Sequence, residues 1–211
     1  MDGVLIDSEP FQYEASKIVY TKLNIDVSQE INNSFVGLAA EKMWGFLKKH
    51  YGLKKTISEL IEYDDNIRIR YMSQLKNIKP IRGIQKLLKK LSQNNFPLAI
   101  ASSSSRGLID ILTKKADLRK YFSIFVSGDD VQNGKPDPDI FLHTASLLGI
   151  LPSECIVVED SSNGVRAAKA AKMKCIGFKN PNSGNQDLSM ADMTVSSIRA
   201  LTVKKMKSID L

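Results

Sequence analysis

The chain has 211 residues, of which 43% are hydrophobic and 25% charged, with a formal net charge of +7. That length bounds one sizeable domain, or a core with a smaller insertion, and the composition excludes a disordered chain. No apolar run approaches the ~20 residues of a membrane span and no basic-then-apolar leader opens the chain, so neither a membrane partner nor secretion is expected.

From Glu9 to about Lys79 the pattern is helical. Phe11, Ala15, Ile18, Val19 and Leu23 recur at spacings of three and four and predict a first helix. A second is expected over Ala40–Lys49, with Met43, Trp44, Phe46 and Leu47 apolar. A third is expected over Ser58–Leu75, with Leu60, Ile61, Tyr63, Ile67 and Tyr71 sharing faces. Nothing in this stretch reads as a strand, so it is expected to form a small helical bundle.

The pattern changes after Pro80. Helix "GIQKLLKKLSQNN" leads into the short apolar run "PLAIAS", and helix "SRGLIDILTKKADL" is followed by "IFVSGDD". Helix "DPDIFLHTASLLGI" precedes "CIVVEDS", and "NGVRAAKAAKM" precedes "KCIGFK". "MTVSSI" is expected to be a last short strand, with a terminal helix or tail after it. Strands alternating with helices predict an α/β fold with a parallel sheet covered on both faces.

The basic residues lie along amphipathic helices, as in "LKKHYGLKK" and "IQKLLKKL", with no aromatic-interleaved patch. They read as a solvated face, and no nucleic-acid partner is expected. Cys155 and Cys175 sit in apolar, strand-like surroundings and are expected to be buried free thiols in a reducing cytoplasm. His50 and His143 fall within helical stretches away from every strand end, so neither is assigned a catalytic role.

In parallel α/β sheets ligands gather at the carboxyl ends of the strands. Four polar groups fall at that edge: Asp2–Gly3, Ser102 in "LAIASSSS", Lys135 in "GKPDPDIF", and Glu159–Asp160 in "VVEDSSNG". Each has a plainer reading. "DG" is a common turn, Ser102 an ordinary helix N-cap, and Lys135 a structural loop residue. Adjacent carboxylates are harder to explain structurally, because unpaired they repel and raise their own pKa. Carboxylates, a hydroxyl and a lysine converging on one edge suit Mg²⁺ and a phosphate.

This ordered set resembles the haloacid dehalogenase superfamily over essentially the whole chain. The nearest resemblance is to the helical-cap subgroup that includes β-phosphoglucomutase-like phosphatases. It implies a Rossmann-like core from residues 1–7 and 80–211 and a helical cap over 8–79. It also implies a Mg²⁺-dependent phosphatase of small phosphorylated metabolites, sugar phosphates among the options, acting through an aspartyl-phosphate. Asp2 would be the acid/base and would face the metal through its backbone carbonyl. Glu159 and Asp160 would complete the metal site, and Ser102, Ser103 and Lys135 would hold the phosphoryl group. A cytoplasmic monomer is expected on the same grounds.

The first motif of that family has the form D-x-D-G, and "MDG" supplies all but its first residue. The nucleophilic aspartate is therefore expected one position before Met1, at the end of a central first strand. An internal start, a shortened chain and a pseudoenzyme that binds phosphometabolites without catalysis are the three readings of that position. In the cap, Glu9, Gln12 and Gly37 are expected to face the substrate. Gln12 and Ala40 stand where the mutases of the group carry a His and an Arg, which favours hydrolysis over phosphosugar mutase activity.

Overall fold

The computed structural model describes residues 1–36 and 38–209, so Gly37 lies outside the described residues. Among the described residues there are five short strands, and every pairing among them is parallel: β1 (Ala99–Ser102), β2 (Ile124–Ser127), β3 (Ile156–Glu159), β4 (Lys174–Phe178) and β5 (Met193–Val195). They come in two hydrogen-bonded pieces, β1–β2 and β3–β4–β5. Because strand side chains alternate between faces, each piece feeds two hydrophobic layers. Ile100, Phe125, Val158 and Ile176 point to one layer, and Val126, Val157 and Cys175 to the other.

The first layer is closed by α5 (Ile84–Gln93), α6 (Arg106–Lys115) and the terminal α9 (Val203–Lys207). The second is closed by α7 (Asp139–Leu148) and α8 (Ser162–Ala170). In α5 the apolar stripe is Ile84, Leu87, Leu88 and Leu91, all buried, and Lys86, Lys89 and Lys90 face outward. The result is the α/β fold expected, with helices on both faces.

Residues between the two linkers form a separate helical unit. It contains α1 (Glu9–Leu23), α2 (Gln29–Ser34), α3 (Ala40–Tyr51) and α4 (Ile57–Gln74) around Val19, Tyr20, Trp44, Leu47 and Leu60. Thr56 and Glu59 form a reciprocal capping box that starts α4. The linkers run side by side: the Ile81 N–H donates to the Leu5 carbonyl at 2.9 Å, and Ile6 bridges Pro80. Among the described residues no helix is long and apolar enough to cross a membrane.

Two sequence expectations shift. Ile18 and Phe46, placed on apolar faces, are 37% and 47% exposed. Ser16 and Tyr20 are buried in α1, turning its inward face away from Ile18. Phe46 instead packs its ring against Phe35 and His50 on the outside of the unit. The expected strand "MTVSSI" ends at Val195, because the Ser197 hydroxyl accepts from the Arg199 N–H and starts a 3-10 turn.

Candidate active site

The strands are parallel and share one carboxyl edge. Ser102 ends β1, Glu159 ends β3, and Asp160 follows directly. Lys135 comes from the loop before α7, and Asp2 from a turn whose Met1 carbonyl accepts the Leu5 N–H at 2.8 Å. Asp2, Ser102, Ser103, Lys135, Glu159 and Asp160 line one cavity of about 200 Å³. Glu9 and Gln12 line its opposite wall.

Hydroxyls surround the Asp2 carboxylate. Ser8 donates to its Oδ1 at 2.5 Å, while Ser104 and Ser102 donate to Oδ2 at 2.8 and 3.2 Å. Burial pushes Asp2 up, and the three hydroxyls that donate to it pull the other way, favouring the carboxylate. The Gln12 amide approaches Oδ1 from the helical unit at 3.5 Å.

Lys135 is buried and its ammonium pairs with Glu159 Oε1. It also lies 4.8 Å from the Phe141 ring centroid. Glu159 Oε2 accepts from the Asp160 N–H at 3.2 Å and the Ser161 hydroxyl at 3.1 Å. Burial raises Glu159, but the Lys135 charge beside it wins and leaves it lowered. Gly164 is the residue that lets α8 start this close, since a Cβ there would lie 2.1 Å from the Glu159 carboxyl carbon.

Asp160 behaves oppositely. Burial and the neighbouring Glu159 charge push it up to about 7. Its Oδ2 accepts from Ser183, and its Oδ1 accepts nothing among the described residues. Gly3 turns against it with φ +62°, and a Cβ there would sit 1.8 Å from Asp160 Oδ2. Asn180 holds that turn, donating to the Gly3 carbonyl at 2.9 Å. Gly3→Ala is expected to cost about 2–4 kcal/mol, from the left-handed backbone and the displaced carboxylate. It should appear as a lower urea midpoint; an unchanged midpoint would contradict this packing.

Among the described residues, no three carboxylate, His or Cys side chains are drawn together as a protein-only metal cage. Mg²⁺ does not need one, since it takes one or two carboxylates and keeps water and substrate oxygens. Asp160, with a raised pKa and an oxygen without a donor, fits such a cation. Glu159 is turned to Lys135 and the Ser161 loop.

Glu9 is pushed up to about 8 by burial and by the Asp2 and Asp160 charges, so it carries a proton at neutral pH. Several contributors were not singled out from sequence: Ser8, the Ser104 hydroxyl, Asn180, Ser183, and Asp64, Asp65 and Arg68 of α4. Ser183 and Asn180 had one available signal, the turn-rich "NPNSGNQ" directly after a strand at the same sheet edge.

Residues 1–178 match the family model described as haloacid dehalogenase-like hydrolase. A protein named probable pseudouridine-5′-phosphatase from Drosophila melanogaster is 32% identical over 206 residues, 94% of this chain and 87% of the relative. The phosphorylated carbohydrates phosphatase of Thermotoga maritima is 31% identical over 83% of this chain and 81% of its own. In fold, the crystal structure of β-phosphoglucomutase from Clostridium difficile matches with a TM-score of 0.84 at 23% identity, over 99% of this chain and 93% of that one.

Proposed function

The chain belongs to the haloacid dehalogenase-like hydrolase family, and on that premise we propose that it hydrolyses small phosphate monoesters with Mg²⁺. The observation that carries this reading is the convergence of Asp2, Ser102, Lys135 and Asp160 on one cavity at the carboxyl edge of the strands. The phosphatase names of the relatives support it. Residues 8–79 act as the cap that closes over this cavity, hinged on the paired linkers.

Asp160 and the Asp2 backbone carbonyl would hold the cation, with Glu159 supporting directly or through water. When bound, Mg²⁺ would supply Lewis-acid neutralisation of the phosphoryl oxygens. Lys135, Ser102 and the backbone around Ser103 bind the phosphoryl group and balance charge as it transfers. The nucleophile in this reading is an aspartate one position ahead of Met1. As its carboxylate bonds to phosphorus, the P–O bond to the leaving group breaks and Asp2 gives that oxygen a proton. Asp2 then takes a proton from the water that releases phosphate.

Asp2 must be protonated for the first step, although its hydroxyl partners favour the carboxylate. An arriving phosphoryl dianion shifts this balance. It adds like charge and draws the Ser102 hydroxyl from Asp2, and both effects raise its pKa. Gln12 has no titrating proton to exchange with a sugar hydroxyl, which supports hydrolysis over a mutase step. Cys175 is buried as expected, whereas Cys155 is only half-buried; both thiols are free, which suits a reducing cytoplasm.

The test is turnover of a phosphate-monoester panel by the protein carrying an aspartate directly ahead of Met1, with Mg²⁺ or with a chelator. Mg²⁺-dependent release of phosphate is expected. No turnover of any ester would overturn the reading.

A further inference from the structure

The cap wall of the cavity differs in charge from its floor. Among the described lining residues, the cap contributes one cation, Arg68 of α4, alongside the carboxyls of Asp64, Asp65 and the protonated Glu9. A cation in that place could grip a second phosphate or a carboxylate on the substrate. Its hydrogen bonds decide whether it is available.

Arg68 has five N–H donors in a planar fork. Its Nε donates to Asp64 Oδ1 at 2.6 Å, and Nη2 donates to the Ser16 hydroxyl at 2.8 Å. Nη1 donates to both the Gln12 side-chain oxygen at 2.8 Å and the Gln12 backbone carbonyl at 3.2 Å. Four hydrogen bonds therefore already occupy the fork. Asp64 is buried, accepts from the Trp44 indole at 3.3 Å, and anchors the pair in the cap core. Pulling Arg68 toward a ligand would leave Asp64 as a buried, uncompensated charge, and that resists the move.

The same network fixes Gln12. With its oxygen held by Arg68, the amide must present its NH₂ to Asp2, which it does at 3.5 Å. The rest of the wall adds no further cation: beside the Glu9 and Asp65 carboxyls and Tyr13 stands Asn32, which accepts from the Tyr20 hydroxyl at 3.0 Å through its oxygen, leaving its NH₂ as a donor. Phe35, Met43 and Ile61 add apolar surface.

We propose that this cavity selects phosphate monoesters whose leaving group is uncharged and hydroxylated, and rejects those bearing a second anionic group, because Arg68 is committed to Asp64, Gln12 and Ser16. The proposal rests on the phosphatase reading and narrows its substrate class. Arg68 is thereby a positioning residue for Gln12 rather than a clamp for substrate.

The test is equilibrium binding by calorimetry with Mg²⁺ present, using inorganic phosphate, a hexitol monophosphate and the bisphosphate of the same hexitol. The monophosphate is expected to bind at least tenfold tighter than the bisphosphate, and equal or tighter bisphosphate binding would overturn the selectivity. Asp64→Asn should release Arg68 and shift the ratio at least tenfold toward the bisphosphate; an unchanged ratio in a folded variant counts against the mechanism. Should Asp64→Asn fail to fold, Asp65→Asn removes one carboxylate from the same wall and should narrow the preference severalfold, with no change again counting against it. Inorganic phosphate separates the two levels: if it too fails to bind, the phosphatase reading falls and the selectivity falls with it.

Discussion

Lys135→Met is expected to destabilise the protein by about 3–5 kcal/mol, because it leaves the Glu159 charge buried without its partner. Lys135 and Glu159 are 4% and 6% exposed, so water cannot replace the lost ammonium. The loss should read as a fall of roughly 10 °C in Tm, taking about 2–4 °C per kcal/mol for a chain of this size. Phosphate binding should be lost in the same variant, since the cation at the cavity floor is gone. Lys135→Met combined with Glu159→Gln should recover much of the stability, because the glutamine oxygen can still accept from Asp160 N–H and Ser161. It should recover none of the phosphate binding. A single variant within about 1 kcal/mol of the parent, the level of an exposed ion pair, would show that the pair is solvated.

Asp160→Asn is expected to weaken Mg²⁺ by roughly 100-fold or more, an effect beyond that of residues that merely orient a ligand. On the proposed reading Mg²⁺ competes with the proton on Asp160, which burial and the Glu159 charge push up to about 7. Mg²⁺ affinity should therefore rise as pH increases toward 7 and level off above it. The stability of the metal-free protein should run the other way. A carboxyl raised by folding keeps its proton longer when folded than when unfolded, so stability declines as pH rises from the unfolded pKa to the folded one. Asp65, raised to about 6, and Glu9, raised to about 8, act in the same direction. Glu159 is lowered by the Lys135 charge, so its contribution is lost only in more acidic solution. Mg²⁺ should thus raise Tm more at pH 8 than at pH 6, and Asp160→Asn should abolish that difference. Equal stabilisation at both values would exclude Asp160 as the ligand.

Much of this arrangement was legible because strand ends and polar residues coincide. "LAIAS" and "CIVVED" each carry an apolar run that stops at the residue the cavity uses. The cap was harder to read. Helix α2, "QEINNS", buries no residue and has no apolar stripe, so only the Ser28 cap marks it. In α4 the buried positions Leu60, Asp64 and Met72, with Arg68 between them, recur every four residues. Periodicity ranks Asp64 and Arg68 as polar and assigns them outward. They face inward because the i,i+4 pair satisfies itself and Trp44, Gln12 and Ser16 complete it. Asn180 and Ser183 escaped for another reason: Asn180 meets Gly3 across a separation of 177 residues, which local pattern does not carry.

The central claim is that one cation and one phosphoryl group share the floor formed by Asp2, Ser102, Lys135 and Asp160. A crystal grown with Mn²⁺ and inorganic phosphate tests it through the anomalous signal of the metal. The account predicts Mn²⁺ on Asp160 and the Asp2 carbonyl, with phosphate on Lys135 and Ser102. Metal bound elsewhere, or phosphate found only outside this cavity, would contradict it.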